Sequence, residues 1–171
     1  MRRLFLIGAL VCLVAAPVVA QETPKAEVFG GYSVIRTAAR SFHGWTAAVN
    51  GNINSWVVIK GDFSGHYMTI SGAHAEVHTF TFGPQFSHRK KNFVVFAHVL
   101  FGGAHASAGF GGLSVSDSSF AMHLGGGFDW TPHKNIAIRP IQVDALITHF
   151  GNAPSGDARI STGIVFRFGS K

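Results

Sequence analysis

From Ala26 onward the chain alternates apolar and polar residues with a period of two, and no stretch beyond residue 20 sustains the 3.6-residue period of an amphipathic helix. Successive strand side chains point to opposite faces, so a chain patterned this way sorts its apolar half by building sheets. The run "RISTGIVFRFG", Arg159 to Gly169, shows the rule: Ile160, Thr162, Ile164, Phe166 and Phe168 alternate with Ser161, Gly163, Val165 and Arg167. The pattern predicts eight strands, at roughly 26–36, 43–51, 55–66, 76–88, 93–104, 119–131, 135–147 and 159–169. Each is near or slightly above the roughly 9–11 residues that a tilted strand needs to cross a bilayer.

The connections alternate in length. Asn52-Ile53-Asn54, Arg89 to Asn92 and Pro132-His133-Lys134 read as tight turns, whereas Thr37 to Phe42, Tyr67 to Ala75, His105 to Ser118 and Thr148 to Ala158 read as longer, small and polar loops. Four long loops and three short turns predict an all-β, antiparallel up-and-down barrel with both chain ends on one side. A turn centred on Lys90 and Lys91 sets Phe101 opposite Phe80, Val99 opposite Phe82, Ala97 opposite Pro84 and Val95 opposite Phe86, all on one oily face. Thr81 with Leu100 and Gly83 with His98 fall on the other face.

Other strands divide the same way. Val57, Ile59 and Phe63 oppose Lys60, Asp62, Ser64 and His66, while Phe120, Met122, Leu124, Phe128 and Trp130 oppose His123 and Asp129. Alternation alone does not say which face is inside: a soluble exported ligand-binding barrel buries the oily face, and a membrane barrel turns it outward. The wide Phe-rich faces, the glycines on the opposite parity, and Trp45 and Trp130 near opposite strand ends favour the membrane. Lys60, Asp62, Asp129, Arg139 and Asp144 then point into a narrow lumen, where charges persist only if paired, and an ionic network is expected to fill it. Arg139 and Gln142 share that lumen only if a bulge near Pro140 separates them. Trp56 breaks the pattern, falling on the lumenal parity beside a turn.

Arg2 and Arg3, the apolar run Leu4 to Val14, and Val18-Val19-Ala20 predict a cleavable signal peptide over residues 1–20, with residues 21–171 as the barrel domain. The single cysteine, Cys12, lies in that signal, so neither disulfides nor thiolate metal sites are expected beyond it. The formal charge of +6 falls to a milder excess once Arg2 and Arg3 leave, and the basic residues are scattered apart from Arg89-Lys90-Lys91. Nucleic acid is not an expected partner.

The stretches "VFGGYSVIR", "WVVIKGDFSGHY", "FAHVLFGGAHA" and "STGIVFRFG" resemble the OmpA/OmpX-type eight-stranded outer-membrane barrels over essentially all of residues 21–171. The resemblance implies residence in the bacterial outer membrane with both termini periplasmic, contact with outer-membrane lipids and lipopolysaccharide, and recognition by the outer-membrane insertion machinery through Ile164, Phe166 and Phe168. Gly169-Ser170-Lys171 follow the terminal aromatic, a departure from the family pattern. The implied role is non-enzymatic, in envelope structure or surface recognition through four loops. No cofactor is implied, and no surface partner is specified.

Ten histidines invite a metal reading, but they scatter, and hydrogen-bonded lumenal or interfacial roles are expected of them. His66, His74 and His149 are candidates to meet at the outer rim. Near that rim, His105-Ala106-Ser107 places histidine and serine on one face, and the register above pairs residue 105 with Glu76. Ser107, His105 and Glu76 thus resemble the Ser-His-Glu triad of the outer-membrane lipid A deacylases, an alternative function. Those enzymes carry an asparagine after the serine, where this chain has Ala108. "GFGGLS", residues 109–114, lacks phosphate-loop spacing and a following helix.

Overall fold

The computed structural model describes residues 23–37, 40–70, 73–110, 113–148 and 155–169. The expected signal peptide, Cys12 and His149 lie outside the described residues. Eight strands follow in order: β1 Ala26–Arg36, β2 Ser41–Asn52, β3 Val57–Ile70, β4 Ala73–Lys90, β5 Phe93–Phe110, β6 Leu113–His133, β7 Ile136–Thr148 and β8 Ser155–Phe168. Each pairs antiparallel with its neighbours in sequence, and β1 closes the barrel on β8 from Ala26↔Phe168 to Arg36↔Ala158. Closure leaves no unpaired sheet edge, which a bilayer requires of any spanning sheet.

The oily parity faces outward. Phe80, Phe82 and Phe168 are 59%, 64% and 53% exposed, and Ile59, Phe63, Phe86, Phe101, Phe120, Leu124, Phe128 and Ile164 share that surface. Lys60, Asp62, Arg139, Asp144 and Arg159 are fully buried inside. This is the reverse of a soluble ligand-binding barrel, whose charges face water. Trp45 sits outward toward one end of the barrel, and Trp130 outward toward the other.

Three expectations change. The β4–β5 turn is Lys91-Asn92, closed by Lys90↔Phe93, so Phe101 faces Phe82 rather than Phe80. The slip is two residues, an even number, and every side chain keeps its face. Second, two of the four predicted long loops, Tyr67 to Ala75 and His105 to Ser118, are largely strand: β4, β5 and β6 run 18, 18 and 21 residues. Small polar residues such as Ser107 and Ser116 continue the hydrogen-bonded ladder without an apolar face, because beyond a bilayer nothing demands one. At about 3.3 Å per residue an 18-residue strand spans roughly 60 Å, well beyond what crossing requires. Third, Trp56 does not enter the lumen; it lies in the β2–β3 connection and stacks on outward Phe86 at a 6.0 Å centroid distance. The bulge near Pro140 is present: Arg139 pairs with Gly163 and Gln142 with Ser161 across a register shift, and both Arg139 and Gln142 are buried.

Candidate functional site

Period-two parity sends one residue in two of every strand into the lumen, and the charged ones meet at its centre. Arg159 from β8 donates from Nη1 to Asp62 Oδ1 at 2.6 Å and from Nε and Nη2 to Asp144 Oδ2 at 2.9 and 2.7 Å. Arg139 from β7 makes a bidentate pair with Asp129, at 2.7 and 2.9 Å, and donates from Nη1 to Gln142 Oε1 at 2.8 Å. Gln142 Nε2 donates in turn to Asp144 Oδ2 at 2.8 Å, which joins the two guanidinium clusters. Lys60 Nζ lies 3.3 Å from Asp62 Oδ2, and His98 Nε2 lies 2.9 Å from Asp144 Oδ1. Three cations, Lys60, Arg139 and Arg159, therefore balance three carboxylates, Asp62, Asp129 and Asp144.

Aromatic rings complete the filling. The Arg139 guanidinium stands 4.3 Å from the centroids of both Phe29 and Phe96, an arrangement in which ring quadrupoles favour the cation. Room for these side chains comes from lumenal glycines: a Cβ at Gly125 would lie 2.2 Å from Asp144 Oδ1 and 2.4 Å from Val143 O. All five charged residues expected in the lumen are there. Arg159, Phe29 and Phe96 were not singled out, although Arg159 stands on the parity opposite Ile160 and was legible on that ground.

A second cluster faces outward near the end of the barrel where β3 meets β4 and β5 meets β6. Tyr32 hydrogen-bonds His43. Trp45 Nε1 donates to Tyr67 Oη at 3.5 Å, and that hydroxyl lies 3.1 Å from His78 Nε2. Rings with one polar tip suit a membrane–water boundary, where the apolar body and the polar atom each meet their own solvent.

The three residues of the alternative triad reading lie here, but not as a triad. The observed register pairs Glu76 with Ser107 and His78 with His105, so His105 does not oppose Glu76. Ser107 Oγ donates directly to Glu76 Oε1 at 2.7 Å, and His105 Nδ1 bonds Ser118 Oγ at 2.8 Å. The order of nucleophile, base and carboxylate that activates a serine is not formed. His66 points inward, 3.0 Å from Ser33 Oγ, and exposed His74 bonds Thr69 at 3.1 Å, so these two do not converge either. No group of three or more metal-ligating side chains exists among the described residues.

A closed barrel of eight antiparallel strands, oily outside and charged within, is the fold of the OmpA/OmpX-type outer-membrane barrels. Neisserial surface protein A matches with a TM-score of 0.66 at 11% sequence identity, over 84% of this chain and 96% of that one. Ail, the attachment invasion locus protein of Yersinia pestis, matches at 0.56 and 16% identity, over 86% and 100%. The N-terminal β-barrel domain of Pseudomonas aeruginosa OprF matches at 0.57 and 11%, over 86% and 100%. No protein-family model matches the chain, and no curated protein matches it.

Proposed function

We propose that this chain is an integral protein of the bacterial outer membrane, non-enzymatic, with a filled lumen and a recognition surface at the end away from the short turns. The inverted distribution of side chains carries the reading. A belt including Phe63, Phe80, Phe82, Phe101 and Phe120 lies on the outside, and a charge-balanced network lies within. In water such a surface would aggregate, whereas in a bilayer it is solvated by lipid.

The short turns Lys91-Asn92 and Lys134-Asn135 share one end of the barrel with both described chain ends, which supports a periplasmic position for that end. The extended β6 then carries exposed Ser114, Ser116, Asp117 and Ser118 outward from the cell. The extensions of β4, β5 and β6 beyond the apolar belt form part of that recognition surface. Outward Ile164, Phe166 and Phe168 on β8 form the signal read by the insertion machinery.

Site-specific labelling tests the placement, since Cys12 lies in the expected signal peptide and the rest of the sequence has no other cysteine. With Ser116→Cys, a membrane-impermeant maleimide is expected to label intact cells; with Lys134→Cys, it is expected to label only after the outer membrane is permeabilised. Recovery of the protein in the soluble periplasmic fraction, or labelling of Lys134→Cys in intact cells, overturns the reading.

A further inference from the structure

Away from the short turns, the outer face of β2 to β6 carries a groove of about 350 Å³, within the volume range of small-molecule sites. Two rows across the sheet build it. Strand pairing sets Ala47, Phe63, Phe80, Gly103 and Phe120 in one row. One step farther from the turns it sets Trp45, Gly65, His78, His105 and Ser118 in the next. Gly103 places no side chain between Phe80 and Phe120, and the Phe80 ring leans over it, 3.2 Å from where a Cβ would stand. Trp45, Phe63 and Phe80 form the apolar side of the groove, which is continuous with the outward belt.

The polar side is His78, His105 and Ser118. His78 spends Nε2 on the Tyr67 hydroxyl and His105 spends Nδ1 on Ser118 Oγ, which leaves one nitrogen of each ring without a hydrogen bond among the described residues. His105 and Ser118 are exposed and His78 is half-buried, so these side chains are open to the groove they line. One row farther out, Ser107 donates to Glu76 at 2.7 Å. No lysine or arginine is among the described lining residues.

Imidazole and hydroxyl groups both donate and accept, and a carboxylate only accepts. This set matches a lipid with amide and hydroxyl groups next to its acyl chains. A glycerophospholipid places only ester acceptors at that depth, followed by a phosphate that Glu76 repels. Given the outward placement of this barrel end, on which the assignment rests, we propose that the groove binds lipid A, the acylated amino-sugar anchor of lipopolysaccharide. One acyl chain lies along Phe63 and Phe80 over Gly103, and the amide and hydroxyl groups at its head meet His78, His105 and Ser118. The phosphates of lipid A sit at the far ends of its disaccharide, clear of Glu76.

Trp45 lines the groove and reports on its occupant. Of the three tryptophans, Trp56→Phe/Trp130→Phe keeps only Trp45, and Trp45→Phe/Trp56→Phe keeps only Trp130, at the other end of the barrel. Each protein is refolded into nanodiscs of phosphatidylcholine brominated on its acyl chains, which quenches tryptophans in contact with lipid, and lipid A is then substituted stepwise. Heat-modifiable migration on a gel verifies folding. One or two net hydrogen bonds correspond to roughly a tenfold preference, so Trp45 emission is expected to recover at a lipid A fraction about tenfold lower than Trp130 emission does. In the Trp45-only protein, Gly103→Leu, which fills the groove, and His78→Leu/His105→Leu, which removes its polar side, are each expected to raise that fraction toward the Trp130 value. Recovery of both tryptophans at one fraction, unchanged preference in both variants, or equal recovery with phosphatidylglycerol overturns the site while the membrane reading stands. Absence of quenching at both tryptophans overturns the membrane reading itself, and the groove with it.

Discussion

Arg159→Met removes the guanidinium that joins Asp62 and Asp144, and its consequence follows from the contacts around it. Three charged hydrogen bonds vanish, at 2.6, 2.7 and 2.9 Å, and a balanced lumen becomes one of two cations and three carboxylates. Breaking a buried pair by removing one partner typically destabilises by about 3–5 kcal/mol, because the remaining charge is stranded away from water. Asp62 retains Lys60 at 3.3 Å, and Asp144 retains Gln142 and His98 at 2.8 and 2.9 Å, which places the effect toward the lower bound. The expected loss is about 3 kcal/mol, a factor of roughly 150 in the folded-to-unfolded ratio. Reversible urea unfolding in lipid vesicles, followed by emission of Trp45, Trp56 and Trp130, measures it. Arg159→Met/Asp144→Asn restores the balance and is expected to recover at least half of the loss. A single variant within about 1 kcal/mol of the parent would falsify the claim that the lumen is held by pairing and show that water solvates it instead.

Phe82→Arg, placed in the middle of the outward belt, is expected to cost about 2–4 kcal/mol in the same assay, with Phe82→Leu near the parent; an Arg variant as stable as the parent argues against lipid contact at that position. Gly125→Ala drives a methyl group into Asp144 and the Val143 carbonyl and is expected to lower the urea midpoint, while Gly30→Ala, where nothing lies within 4 Å, leaves it unchanged. Phe166→Ala/Phe168→Ala is expected to reduce the folded fraction recovered from outer membranes in cells while refolding in detergent remains efficient; equal recovery removes the insertion role from these residues. Mass spectrometry of lipid A incubated with the folded protein is expected to show intact acyl chains for the parent and for Ser107→Ala alike, and a Ser107-dependent loss of one chain refutes the non-enzymatic reading.

Strand existence and side-chain parity were legible because they are local: Lys60 and Asp62, or Phe80 and Phe82, share a face whatever the rest of the chain does. Parity also survived the misplaced Lys91-Asn92 turn, since a slip of two residues preserves it, and it exposed the bulge between Arg139 and Gln142. The outer extensions of β4 to β6 were harder to see. Their residues are held by ladder hydrogen bonds rather than by an apolar face, and the sequence signal for a strand is the face.

Alternation is symmetric under exchange of inside and outside, so composition tilted the choice between lipid-facing and core-facing phenylalanines but only barrel closure decided it. Closure also decided who meets whom. Arg159 reaches Asp62 across 97 positions of sequence, and Ser107 meets Glu76 rather than His105, because strand register and barrel curvature fix those distances. The sequence by itself determined which side chains share a face; the tertiary structure decided their partners, because pairing energy depends on distances that no local pattern records.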